Sequence, residues 1–201
     1  AQSLNTEISK VTLSLTSYFI GISFGQLIYG PITDKFGRKK PLIFGLILFL
    51  VAAIGCALST SINQLILMRV ILALGGCVGM VVSRAIVRDL FPASEIAKIF
   101  STLMLIVGVA PIIAPTIGSC VVVNYSWNMI FYLLSVNAFL LFLAVYFFLP
   151  ESKKPDPTKS LKIKSVLKDY KKVISDKTFL FYAFIGSIGS AGLFSYISGS
   201  S

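Results

Sequence analysis

Six apolar runs leave this chain few choices of fold. They cover residues 11–33, 42–58, 65–87, 99–123, 129–149 and 178–199. A run of about 20 apolar residues crosses the hydrocarbon of a bilayer as an α-helix. A soluble domain of 201 residues does not contain six such runs. The sequence therefore predicts an all-α, multi-pass membrane protein.

The basic residues indicate how these predicted spans are oriented. Of the 18 lysines and arginines, 15 lie in the stretches 34–41, 88–98 and 150–177. Lysine and arginine beside a span mark the cytoplasmic side, so we expect these three stretches inside the cell. The net charge of +10 then follows from membrane topology. We expect anionic lipid headgroups as its partner, and no nucleic acid.

The composition excludes several kinds of site. The chain has no histidine, which removes histidine metal sites and histidine-dependent catalytic triads. Its three cysteines, Cys56, Cys77 and Cys120, lie in different apolar runs with no C-x-x-C spacing. We therefore expect no metal, no cofactor and no catalytic residue.

The most distinctive motif is a short basic turn between the first two runs. It reads Gly-Pro-Ile-Thr-Asp-Lys-Phe-Gly-Arg-Lys-Lys, from Gly30 to Lys40. Gly30 and Gly37 are expected to give the backbone the freedom that a sharp reversal needs. The motif resembles the signature loop between helices two and three of the major facilitator superfamily. The residues that match are Gly30, Asp34, Lys35, Gly37, Arg38, Lys39 and Lys40.

This resemblance implies a fold and a division of the chain. Superfamily transporters have two six-helix bundles with the substrate site between them. Residues 1–149 would form the N-terminal bundle without helix one, and residues 178–201 the first helix of the C-terminal bundle. Residues 150–177 would be the cytoplasmic linker. We therefore expect a partial major facilitator fold, from an internal piece of a longer protein.

The linker also contains a helical pattern of its own. Its apolar residues recur at helical spacing with lysines opposite: Ile163, Val166, Leu167, Tyr170, Val173 and Ile174. This pattern predicts an amphipathic helix that lies on the membrane surface.

The third run contains two arginines, Arg69 and Arg84. An arginine within a membrane costs about 2.5 to 3.5 kcal/mol on insertion scales and is usually functional, although Arg69 could also snorkel to the nearby loop. Arg69, Gly75 and Gly76 resemble the second superfamily motif, whose arginine is associated with proton transfer. Leu72 stands where that motif commonly has glutamine.

The end of the third run narrows the resemblance to one group. The stretch from Gly79 to Pro92 resembles the bicyclomycin and chloramphenicol resistance transporters, the Bcr/CflA group. The resemblance implies a conformational lock built from the turn and Asp89, and a role for both arginines in proton coupling or in shaping the cavity. Asp89 could instead be a solvated loop residue. The implied lock residues are Gly30, Asp34, Gly37, Arg38 and Asp89.

The fourth run combines glycines with prolines, at Gly108, Pro111, Pro115 and Gly118. Prolines inside a helix remove backbone hydrogen bonds and bend it. The run resembles the helix-five motif of antiporters, which implies that this helix bends and seals the centre. Pro115 and Gly118 match the motif, whereas Ala114 and Ser119 replace its usual glycines.

Together these features predict a transporter that exports drug-like small molecules in exchange for protons. It would lie in the inner membrane, as a monomer when full length. No aspartate or glutamate lies within the six runs, so the proton-binding carboxylate is expected in the absent helix one. Two alternatives remain open: a sugar, metabolite or ion symporter of the same superfamily, or a non-functional remnant of a transporter.

Overall fold

The structure, a computed structural model, describes residues 8–199, with side chains for residues 13–189, 191 and 192. This part of the chain forms seven α-helices and no strands. They are α1 (Ile8–Phe36), α2 (Lys39–Ala57), α3 (Ile62–Leu90), α4 (Ala93–Asn124), α5 (Asn128–Phe148), α6 (Ile163–Ile174) and α7 (Lys177–Gly199). By backbone contacts the chain divides after Lys159 into two units.

The first unit is organised around α3. Helices α1 and α2 pack on α3, and α2 also packs on α5. Small side chains allow the close approach of α2 and α3: a Cβ added to Gly75 would lie 2.5 Å from the backbone nitrogen of Phe49. Cys77, Val78 and Val82 of α3 are fully buried beside this contact.

Helix α4 is different, because none of its residues is buried. It has only minor contacts, with α3 and α5. Its apolar side chains are therefore presented outward along the whole helix, as Leu105, Ile112 and Val123 illustrate.

Four helices in the described part of the chain are long and apolar enough to cross a membrane: α2, α3, α4 and α5. Helices α1 and α7 contain the first and last predicted runs and remain predicted spans. Most helices extend beyond the predicted runs, because hydropathy marks only the part of a helix that suits hydrocarbon.

The turn between α1 and α2 is tighter than the sequence suggests. The prediction that Gly30 contributes to the reversal is wrong, because Gly30 to Phe36 is helical and includes Pro31. The reversal occurs at Gly37, whose φ of +86° is the one positive value among the described glycines. A single left-handed residue is enough to redirect the chain between two helices.

The second unit consists of α6 and α7. Ile163, Leu167 and Ile174 are exposed on α6, as expected for a helix whose apolar face has no protein partner within the unit. Helix α7 begins after Asp176, whose carboxylate accepts hydrogen bonds from the backbone N–H groups of Thr178 (2.9 Å) and Phe179 (3.2 Å). This is an ordinary N-terminal cap.

Candidate functional site

The most strongly connected charged residue in the first unit is Arg38, at the start of α2. Its side chain is only 5% exposed. Its Nε donates to Asp89 at 2.7 Å, and its Nη1 donates to Asp34 at 3.0 Å and to the Thr33 hydroxyl at 3.1 Å. A buried guanidinium requires such partners, because burial removes its hydration. Arg38 thereby joins the adjacent ends of α1, α2 and α3.

The two carboxylates around Arg38 differ in exposure. The Asp89 side chain is 20% exposed and that of Asp34 is 44% exposed. Burial alone would raise the pKa of Asp34, but hydrogen bonds from Lys153 and Arg38, and their charges, outweigh it and hold that pKa below its ordinary value. Burial alone would lower the pKa of Arg38, but the hydrogen bonds and charges of Asp89 and Asp34 outweigh it and raise that pKa. Asp34 and Arg38 are therefore both ionised at neutral pH.

Glu151, which follows α5 in the sequence, completes the site. Its carboxylate accepts hydrogen bonds from the backbone N–H groups of Arg38 (2.6 Å) and Lys39 (3.2 and 3.3 Å). These are first-turn amides of α2, which lack partners within the helix, and Arg38 provides no side-chain cap of its own. An acid at this position also interacts favourably with the helix dipole.

Gly37 is required at this point for two reasons. Its φ of +86° is unfavourable for residues with a side chain. A Cβ at this position would also lie only 2.9 Å from the carboxyl carbon of Glu151. The signature glycine therefore both turns the chain and makes room for the carboxylate that caps the next helix.

The segment after α5 is fastened to the same turn at further points. Lys153 Nζ lies 3.2 Å from Asp34 Oδ1, and the backbone N–H of Asp156 donates to the carbonyl of Lys35 at 3.0 Å. Lys39 Nζ donates to the carbonyl of Tyr146 at 3.0 Å, within the last turn of α5. We call Asp34, Arg38, Asp89, Glu151 and Lys153 the charge cluster. It connects the ends of α1, α2, α3 and α5 at the predicted cytoplasmic side.

Neither of the two arginines predicted within the third span belongs to the charge cluster. Arg69 is about 30 Å from Asp89 along α3, at 1.5 Å per residue. Its guanidinium lies over the ring of Phe131, 5.6 Å from the centroid, and no carboxylate among the described residues pairs with it. Arg84 is exposed and has no ion pair in this part of the chain.

The four residues expected in the antiporter helix lie in α4. Pro111 and Pro115 are inside the helix. A Cβ added to Gly108 or Gly118 would meet nothing within 4 Å. Among the described residues these glycines therefore pack against no neighbour. Nor do the described residues contain a group of three or more potential metal ligands.

The sequence profile of the Major Facilitator Superfamily matches residues 1–199. The chain belongs to this superfamily. The predicted all-α, partial major facilitator fold is thereby confirmed, and the protein is a multi-pass membrane protein.

The relatives of this chain include members of the bicyclomycin and chloramphenicol resistance group, which the stretch from Gly79 to Pro92 resembles. The chain is 37% identical to the uncharacterized MFS-type transporter YdgK of Bacillus subtilis, over 99% of the chain and 50% of that protein. It is 31% identical to the bicyclomycin resistance protein homolog of Haemophilus influenzae, over 100% of the chain and 50% of that protein. The chain therefore spans about half the length of these relatives.

A solved structure supports the same fold. The peptide transporter POT, crystallised with sulfate, matches with a TM-score of 0.63 over 96% of this chain and 38% of its own. At 19% sequence identity this similarity concerns the fold alone.

Two members of the charge cluster were not among the residues expected from the superfamily motifs, namely Glu151 and Lys153. In the sequence they belong to a strongly charged linker and look solvent-exposed. One signal was present: Glu151 is the first acid after the fifth run, on the same predicted side as the basic turn. An acid at that position can reach the amides at the start of α2.

Proposed function

We propose that this chain forms helices two to seven of a transporter that exports drug-like small molecules in exchange for protons across a bacterial inner membrane. The observation that carries the proposal is the similarity, over the whole chain, to a protein named for bicyclomycin resistance. The fold supports it, since superfamily transporters alternate between two bundles around a central site. In this proposal the protein acts as a monomer.

The charge cluster is proposed as the conformational lock. Arg38 and Glu151 hold the ends of four helices together through side chains and backbone amides. Such a cluster rigidifies one end of the bundle, so that the bundle moves as a unit. Because Asp34 remains 44% exposed, it can also contact a group outside this bundle. Gly30 and Gly37 have supporting roles in this lock: Gly30 accepts a hydrogen bond from Thr33, and Gly37 makes room for Glu151.

Arg69 is proposed to take part in proton coupling or in shaping the cavity, together with Arg84. No acid among the described residues pairs with Arg69, so its charge is available to a carboxylate from elsewhere in the protein or to the substrate. The aromatic ring of Phe131 offsets part of the cost of keeping that charge within the membrane. Gly108, Pro111, Pro115 and Gly118 are proposed to shape α4 so that it closes against a neighbouring helix.

Drug efflux in cells tests the proposal. The protein, expressed from its complete reading frame in an efflux-deficient host, should lower accumulation of a fluorescent drug, and a protonophore should abolish the effect. Asp34→Asn should reduce efflux at equal expression, because it weakens the contacts with Arg38 and Lys153. Asp156→Asn is the matched control, because the Asp156 side chain lies outside the charge cluster and its backbone contact with Lys35 is retained.

Two results would count against the proposal. Proton-dependent uptake of a solute in place of export would favour a symporter. Efflux that is unchanged by Asp34→Asn across several drugs would remove Asp34 from the lock and leave it as a helix-end residue.

A further inference from the structure

An apolar groove lies between α1 and α2 at the predicted cytoplasmic end. The volume of the groove is about 490 Å³. Ile32 and Phe36 of α1 form one wall, Phe44 and Leu48 of α2 form the other, and Leu74 of α3 lies at its floor. The groove exists because α1 and α2 both pack on α3 but barely touch each other.

The groove has the shape and surface that suit an acyl chain. From Lys40 to Leu48 it follows α2 for about 12 Å, at 1.5 Å per residue. Its lining is almost entirely apolar. Phe44 is 62% exposed, so the groove opens sideways and its wall faces outward from the unit. A chain of CH₂ groups gains burial along such a wall.

A lysine stands at the end of the groove. Lys40 is among its lining residues and lies at the start of α2, where the apolar run begins. Two other cations of this turn have polar partners, since Arg38 binds two carboxylates and Lys39 a carbonyl. Lys35 lies over the ring of Phe36, 5.6 Å from its centroid, and is not among the residues that line the groove. Lys40 has no hydrogen-bond or ion-pair partner in the part of the chain that the structure describes.

We propose that this groove is a binding site for one anionic phospholipid, with an acyl chain between α1 and α2 and the headgroup phosphate at Lys40. A free ammonium at headgroup level next to an apolar wall provides both halves of the recognition. The Glu151 carboxylate is bound to the amides of Arg38 and Lys39, and Lys40 is the groove-lining cation without a hydrogen-bond or ion-pair partner among the described residues. The inference depends on the membrane fold and not on the proposed export, so either can fail without the other.

Photo-crosslinking tests the site. The protein from its complete reading frame is placed in phosphatidylcholine nanodiscs with a small fraction of phosphatidylglycerol that carries a diazirine in one acyl chain. The same label on phosphatidylcholine provides the zwitterionic comparison. We expect mass spectrometry to locate the crosslinks of the anionic probe at Phe44 and Leu48.

Three variants make the result specific. Lys40→Gln should lower labelling by the anionic probe about fivefold, the effect of one lysine beside an anionic headgroup. Lys98→Gln, which removes an exposed lysine of the next predicted cytoplasmic turn, should leave it unchanged. Leu48→Trp should fill the groove and reduce labelling by either probe, with the thermal midpoint of the protein as the control for folding.

Two outcomes would overturn the proposal. Equal labelling by both probes, insensitive to Lys40→Gln, would mean that only unspecific boundary lipid contacts the groove. No labelling at Phe44 or Leu48 in a folded protein, together with a lower thermal midpoint of Leu48→Trp, would mean that a helix from elsewhere in the protein occupies it.

Discussion

The block formed by α1, α2, α3 and α5 and the neighbouring helix α4 use the same residue types in opposite ways. Most described glycines of the block lie at close contacts, and a Cβ on Gly75 would meet the backbone of Phe49, although Gly79 has open space around it. On α4, Gly108 and Gly118 face open space, and no residue is buried. Glycine content alone therefore does not indicate close packing. What differs is whether a partner helix lies within this chain.

The difference also concerns polar contacts. The charge cluster connects the ends of all four helices of the block. Helix α4 contributes no side chain to it. We infer that the block is the rigid part of the bundle, and that α4 is not part of it. The following predictions test that division, beginning with the largest expected effect.

Overpacking should destroy the block. Gly75→Val places a branched side chain against the backbone of α2, where nothing can move aside, and should cost about 3 kcal/mol or more. We expect no monodisperse protein by fluorescence-detected size-exclusion chromatography. Gly118→Val should retain the folded peak but lower efflux, since α4 is proposed to close against a neighbour.

The folded peak should not be abolished by Gly118→Val if α4 is packed less tightly than the block. Loss of the peak would show that α4 is packed as tightly as α3 in the whole protein. The openness of α4 would then belong only to this chain taken by itself.

Removal of the central cation should have the next largest effect. Arg38→Gln leaves Asp34 and Asp89 without their shared partner and should destabilise the protein by about 2 kcal/mol, since both acids remain partly exposed. The thermal midpoint in detergent measures it. Arg88→Gln, an exposed arginine at the same end of α3, provides the control and should change little. An equal loss in both variants would indicate a general effect of net charge.

Loss of the Glu151 cap should be smaller. Glu151→Ala leaves the amides of Arg38 and Lys39 to water and should cost about 1 kcal/mol, the usual cost of losing a helix cap. Glu95→Ala, in the exposed first turn of α4, is the matched control. If both variants melt like the parent protein, the linker segment is not a structural part of the block.

The sequence could predict the parts of this arrangement that are local. The runs locate the helices, and Asp34 and Arg38 are only four residues apart, on either side of the turn at Gly37, so their contact is local in the sequence. The cap by Glu151 could not be predicted, because it joins residues more than a hundred positions apart through backbone amides, which leave no sequence pattern. The contact of Arg69 with Phe131 also could not be predicted from the sequence, because many aromatic residues in the spans could face that charge.

The error at Gly30 is also instructive. Gly30 and Gly37 both lie in the signature motif, and both were expected to contribute to the turn. Only Gly37 has the left-handed φ that a reversal needs, while Gly30 remains helical and accepts a hydrogen bond from the Thr33 hydroxyl at 2.9 Å. Glycine spacing shows where the backbone is free to turn, but not which residue turns.

The smallest expected effect is the response of the block to acid. The pKa of Asp34 is lower in the folded protein than its ordinary value of 3.8. Its ionised form is therefore the form that the folded state favours. Its contribution to stability is fully present above the unfolded-state pKa of about 3.9, and is lost as the pH falls through the lower, folded-state pKa.

The thermal midpoint should be insensitive to this group between pH 7 and about pH 5, and should fall below about pH 4. Asp34→Asn should have a lower midpoint at pH 7 but a shallower acid decline, because the titrating group is gone. Glu95→Gln should keep the steep decline, because Glu95 lies outside the charge cluster, in the exposed first turn of α4. A decline that is equally steep in Asp34→Asn would show that Asp34 does not contribute to the acid response, and that its contacts with Arg38 and Lys153 do not couple to folding.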